Sequence, residues 1–136
     1  MYDLHVNIGI ALLDFKLENS VFDNIRGLKL IDMESGVPLK ERIKIAGGTV
    51  GYNAPERDGK HSYLAEKADM FSLGAAACVL MSETEAEFVT GIRDYARFVE
   101  IMNCKCQNSG EKFPDDFTAL VFSLLSTDPL LRPTWD

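Results

Sequence analysis

The sequence predicts an α+β fold, mostly helical with a small β-hairpin, and three observations carry that reading. Residues 65–82 are apolar on nearly every side, which suits a helix buried at the centre of a domain. Residues 88–102 and 114–125 repeat apolar positions at helical spacing. Residues 20–22 and 28–31 are short strand candidates, the second alternating in polarity, and Asp23, Asn24, Arg26 and Gly27 supply a turn between them.

In chain order, the first residues read as a helical tail that Asn7, Ile8 and Gly9 end in a turn. An apolar run over 10–13 then feeds a polar loop over 14–19, and the hairpin follows. Residues 33–53 hold Gly36, Pro38, Gly47, Gly48 and Gly51 and show no period; a loop of that length inside a domain is usually functional. In the helix over 88–102, Ile92, Tyr95, Phe98, Val99 and Met102 share a face. Pro114, Asp115 and Asp116 open the last helix, as first turns prefer, and Asp128-Pro129 stops it. Met33, Phe71 and Phe117 are expected in the core.

The chain has 136 residues, 46% hydrophobic and 26% charged, enough for one core and too few for two domains. A net charge of −7, with no basic stripe and interleaved aromatics, points away from nucleic acid. No apolar run approaches the roughly 18 residues a bilayer requires, and no secretory signal opens the chain, so no membrane partner is expected. Cys78, Cys104 and Cys106 read as three reduced thiols in an intracellular, cytoplasmic setting, Cys78 being buried. The pair Cys104 and Cys106 has neither a second cysteine pair nor a nearby histidine, unlike zinc sites.

Three patterns carry chemistry. Asp14, Lys16 and Asn19 form D-x-K-x-x-N on the loop after the apolar run. Phosphoryl transfer needs a carboxylate to orient the attacking hydroxyl, a cation to offset charge on the transferred group, and an oxygen ligand for Mg²⁺. Those three residues can supply them in turn. Asp32 stands directly after a strand, where a sheet can fix a hard-metal ligand. Further on come Gly48-Thr49-Val50-Gly51-Tyr52-Asn53-Ala54-Pro55-Glu56, then Asp69-Met70-Phe71-Ser72-Leu73-Gly74, then Arg132-Pro133.

In order and spacing these motifs resemble the C-terminal lobe of protein kinases of the Ser/Thr type: H-R-D-x-K-x-x-N, D-F-G, G-T-x-x-Y-x-A-P-E, D-x-W-S-x-G and R-P. The match runs from Leu4 to Thr134. The resemblance implies that Asp14 is the catalytic carboxylate, that Lys16 pairs with the transferred phosphoryl group, and that Asn19 and Asp32 ligate Mg²⁺. It implies that Thr49 shapes the acceptor site, that Glu56 forms a buried ion pair with Arg132, and that Asp69 caps the catalytic-loop backbone. ATP and Mg²⁺ are the implied cofactors; a protein substrate or a regulatory protein is the implied partner.

Several positions depart from the family pattern. Leu12 and Leu13 replace the His and Arg of H-R-D, and Ile45 stands where the activation-segment phosphosite aligns, so both halves of that phosphate switch are missing. Met33 and Glu34 replace Phe and Gly of D-F-G; Glu34 is expected as a solvated charge. Lys40, Arg42 and Lys44 are expected to form a solvated loop face, and His5 and His61 receive no catalytic role. No Gly-rich loop or strand Lys precedes Asp14, so residues 1–136 read as a partial kinase domain, truncated at both ends, of a domain of about 250 residues.

Two functions compete on these residues. One is an ATP-dependent Ser/Thr protein kinase, of which this segment is the acceptor-side half. The other is a non-catalytic pseudokinase lobe that presents helical surfaces to a partner. On either account the 136-residue chain alone is expected to show no phosphotransfer, and to aggregate or need a partner.

Overall fold

A computed structural model describes residues 1–39, 41–104 and 112–135; Lys40 and Cys106 lie outside the described residues. Within them the architecture is mixed α+β, with three two-stranded antiparallel ladders and a helical body. A wide helical turn, Asp3–Ile8, ends at Gly9, whose left-handed φ of 79° lets its N–H return to the Leu4 carbonyl. Strand β1 (Ile10–Ala11) then leads into the polar loop and a short 3₁₀ turn, Leu17–Asn19.

Strands β2 (Ser20–Asp23) and β3 (Gly27–Leu30) form the hairpin, in register from Ser20 opposite Leu30 to Asp23 opposite Gly27. The Asp23 carboxylate accepts the Ile25 and Arg26 amides at 2.7 and 3.0 Å, and so closes the turn. The irregular segment expected over 33–53 is more ordered than its composition suggests. Strand β4 (Val37–Pro38) pairs with β1, and β5 (Arg42–Ile43) pairs with β6 (Tyr63–Leu64). A two-residue ladder is too short to show a period of two, so sequence pattern cannot reveal it.

Helix α1 (Ala65–Ser82) is the centre of the body. Its first turn meets β1, and α2 (Ala86–Thr90), α3 (Tyr95–Asn103) and α4 (Asp115–Leu124) pack around it. Gly74 permits the closest approach: a Cβ there would lie 2.7 Å from Leu124 Cβ. The single helix expected over 88–102 is instead two. Gly91 ends the first, and Asp94 starts the second by accepting the Arg97 amide at 2.8 Å, a local cap that outcompetes helix continuation.

Two of the three expected core residues are corrected. Phe71 is buried, but Met33 is 57% exposed and Phe117 41% exposed. Met33 lies on the turn after the hairpin, beside an open apolar groove that includes Leu4, Phe15, Leu28 and Leu30. Phe117 sits in the first turn of α4, against Phe113 rather than α1. Hydrophobicity identifies both as apolar, but it does not say which face of its element is covered.

Cys78 is fully buried in α1, and burial pushes its thiol up from 9.0 to about 12. A thiol raised in the folded state stabilises the fold below pH 9 and loses that contribution as pH climbs towards 12. At pH 8 the native Cys78 peptide is therefore expected to resist maleimide while exposed Cys104 reacts; peptide mass spectrometry with and without urea checks this. Equal labelling of both in the native state would contradict it.

Candidate functional site

The site is hung from one buried carboxylate. Asp69, in the second turn of α1 and 0% exposed, accepts the Leu12 amide at 2.6 Å on Oδ2 and the Leu13 amide at 2.7 Å on Oδ1. His5 Nε2 lies 2.8 Å from the same Oδ2. The Trp135 indole donates to His5 Nδ1 at 3.0 Å. An indole N–H can only donate, so Nδ1 accepts and the imidazole proton faces Asp69 from Nε2. Three distant parts of the chain, at residues 5, 69 and 135, thereby hold the backbone just before Asp14.

Beyond that anchor the loop turns sharply. Leu13 has φ 64°, in the left-handed region that branched residues seldom adopt. Asp14 then meets Lys16 and Thr49. The Thr49 hydroxyl donates to Asp14 Oδ1 at 2.8 Å and accepts from Lys16 Nζ at 2.9 Å. Lys16 Nζ also lies 3.2 Å from Asp14 Oδ2, with both side chains about a quarter exposed. Burial raises the Asp14 pKa, but the Thr49 and Lys16 hydrogen bonds and the Lys16 charge outweigh it, so the carboxyl sits below its ordinary value. Asp14 is therefore ionised at neutral pH, which leaves both carboxylate oxygens free to accept hydrogen bonds.

Asn19 donates its side-chain amide to the Asp14 carbonyl at 3.1 Å, while its own carbonyl accepts the Ile31 amide at 3.1 Å. That second bond closes the open end of the hairpin one residue before Asp32. Asp32 is exposed, and one carboxylate oxygen accepts the Glu34 amide at 3.0 Å. The Asn19 side-chain oxygen and the Asp32 carboxylate are hard oxygen donors of the kind Mg²⁺ takes. Among the described residues no cluster of three or more His, Cys, Asp or Glu could hold a metal by itself.

Glu56 and Arg132 form a bidentate pair, 2.5 Å from Nη1 to Oε1 and 2.8 Å from Nη2 to Oε2. The guanidinium also donates to the Ser126 and Lys67 carbonyls and lies 5.0 Å over the Phe71 ring. This ties the segment that ends at Glu56 to α1 and to the turn after α4. Ile45 is exposed, and its carbonyl accepts the Tyr63 hydroxyl at 2.8 Å. Glu34 is exposed and lines a pocket of about 400 Å³ with Asp14, Gly48 and Arg57.

Sequence reasoning overlooked three members of this arrangement. His5 was given no catalytic partner, and none touches it; its partner is the buried anchor Asp69. Trp135 and Arg57 matched no motif, Arg57 because it stands one position beyond A-P-E. Only the fold brings residues 5, 69 and 135 together, so no spacing rule could have found them.

A mixed α+β body with a hairpin thus stands beside a hydrogen-bonded Asp14–Lys16–Thr49 cluster. The protein kinase domain model matches residues 1–136, so the chain belongs to the protein kinase domain family. It is similar to the Serine/threonine-protein kinase ppk16 of Schizosaccharomyces pombe, 31% identical over 134 residues, covering 94% of this chain and 19% of that protein. It is also similar to the CBL-interacting protein kinase 26 of Oryza sativa subsp. japonica, 29% identical over 130 residues, covering 91% of this chain and 26% of that protein. The chain thus spans about a fifth to a quarter of the length of these curated relatives. Among the described residues no helix is long and apolar enough to cross a membrane.

Proposed function

We propose that residues 1–136 form the acceptor-side half, the mostly helical C-terminal lobe, of a Ser/Thr-type protein kinase domain. The observation that carries this reading is the Asp14–Lys16–Thr49 cluster, in which an ionised carboxylate, a cation and a hydroxyl converge within hydrogen-bond distance. In this reading Asp14 accepts the hydrogen bond of an incoming Ser or Thr hydroxyl and orients it. Thr49 marks the place that hydroxyl approaches, and Lys16 offsets charge on the group being transferred. Asn19 and Asp32 hold Mg²⁺, which when bound neutralises phosphate charge. Glu56, Arg132 and Asp69 hold the frame. ATP is the phosphoryl donor and a protein hydroxyl the acceptor.

The test is Mg²⁺-dependent transfer from ATP to a mixed Ser/Thr peptide pool, using the natural protein isolated from its own cells. Asp14→Asn keeps the shape but removes the charge, and is expected to lower turnover by about 10²–10⁴-fold. Undiminished transfer in Asp14→Asn would overturn the assignment. No Gly-rich loop or lysine precedes Asp14 within residues 1–136, so the segment alone is expected to give no transfer.

The exposed apolar rim around the hairpin favours a second reading, a non-catalytic interaction lobe. Phe22, Ile25, Leu28, Ile31 and Met33 are all more than half exposed. Absence of Mg²⁺-dependent transfer in the natural protein would support it over the first.

A further inference from the structure

Leu13 is a branched, buried residue held at φ 64°, and a conformation of that kind persists only where its surroundings impose it. Its N–H is held by Asp69 Oδ1. Its carbonyl is held from the other side by Arg57, whose Nη1 donates to it. The two bonds clamp one peptide unit on each flank of the strained residue, and the residue they aim is Asp14.

Arg57 is placed for that purpose by its neighbours. It follows Glu56, which Arg132 locks. Its Nη1 also donates to Asn53 Oδ1 at 3.1 Å. Gly48, at φ 107°, opens the slot: a Cβ there would come within 2.1 Å of Asn53 Oδ1 and 2.8 Å of Arg57 Nη1. The guanidinium is about nine-tenths buried, its Nε finds no partner among the described residues, and its described hydrogen-bond acceptors are neutral. A desolvated charge with neutral partners is a poor source of stability. Its location is better explained by the carbonyl it restrains.

We propose that Arg57 is a positioning residue: from the segment just after Glu56 it grips the Leu13 carbonyl and so sets the direction of Asp14, with no phosphate needed to bring segment and loop together. The inference rests on the reading of Asp14 as the acceptor-side carboxylate, but its test does not use catalysis.

The test is amide hydrogen exchange by mass spectrometry on the natural protein, without nucleotide or peptide. It follows the Leu12 and Leu13 amides against those of α4. Arg57→Met is expected to speed exchange at Leu12 and Leu13 by about tenfold or more, the loss of one charge-assisted hydrogen bond, and to leave α4 unchanged. Arg57→Lys keeps a donor towards the carbonyl and is expected to recover most of the protection. Exchange that rises equally in the loop and in α4 would make Arg57 an ordinary stabilising residue and overturn the proposal. So would an unchanged loop. Should Arg57→Met not fold, Arg57→Lys and Asn53→Ala decide. Both are expected to loosen the loop alone, by less than tenfold, and a uniform or absent change in both would overturn the proposal. Failure of the phosphotransfer assay would leave these exchange rates untouched, so the two readings fail separately.

Discussion

Arg132→Met is expected to lower unfolding stability by about 3–5 kcal/mol, measured by urea denaturation. The guanidinium is fully buried and places its donors on both Glu56 oxygens and on the Ser126 and Lys67 carbonyls. Methionine fills much of the volume but leaves the largely covered Glu56 carboxylate unpaired and two carbonyls without their donor. Most of the expected loss is that orphaned charge. Adding Glu56→Met to Arg132→Met should therefore return part of the stability, because the pair can be removed more cheaply than it can be broken. A loss below 1 kcal/mol for the single variant, or a double variant worse than the sum of the singles, would contradict this account.

Asp69→Leu is expected to have a comparable effect, on the order of 3–5 kcal/mol, for a different reason. The carboxylate accepts from Leu12, Leu13 and His5, all in the interior. Leucine silences all three, and each buried donor left without an acceptor costs about 1–3 kcal/mol. Asp69→Asn should be milder, since its amide oxygen can still accept while its NH₂ faces a donor. Thermal unfolding distinguishes the cases: at roughly 2–8 °C per kcal/mol for domains near this size, Asp69→Leu should melt well over 5 °C below the parent. A smaller drop would mean that the loop finds other acceptors.

The two largest expected effects fall on residues that touch no substrate. Asp14, Lys16 and Thr49 are partly open to solvent and arranged by the backbone, whereas Asp69 and Arg132 are what hold that backbone. Loss of Asp14 is expected to remove turnover at little cost in stability; loss of Asp69 or Arg132 removes the frame. This division separates a chemical role from a structural one by experiment.

The order of motifs made the family and the α+β class legible before any coordinates. Helix α1 was legible because a long stretch apolar on all sides has few alternatives to burial. The hairpin was legible because Asp23 and Gly27 flank alternating residues. The break between α2 and α3 was hidden: Ile92, Tyr95, Phe98 and Met102 keep a helical spacing across it, and the Gly91 stop and Asp94 cap are weaker signals than that period. The ladders of β4 with β1 and β5 with β6 were hidden because two residues carry no period. Met33 and Phe117 were misplaced because apolar character does not reveal which face is covered.

By itself the sequence determined the kinase family and the helical body, and it singled out Asp14, Lys16, Asn19, Asp32 and Thr49 as the candidate site, since these depend on residue type and local spacing. Only the tertiary structure decided how they are held. His5, Asp69 and Trp135 are separated by 64 residues or more from one another, and Arg57 by 44 from the carbonyl it grips. Hydrogen bonds over such separations form only after the core has closed around α1. No local propensity encodes them, and the left-handed Leu13 that they impose is a conformation its own side chain disfavours.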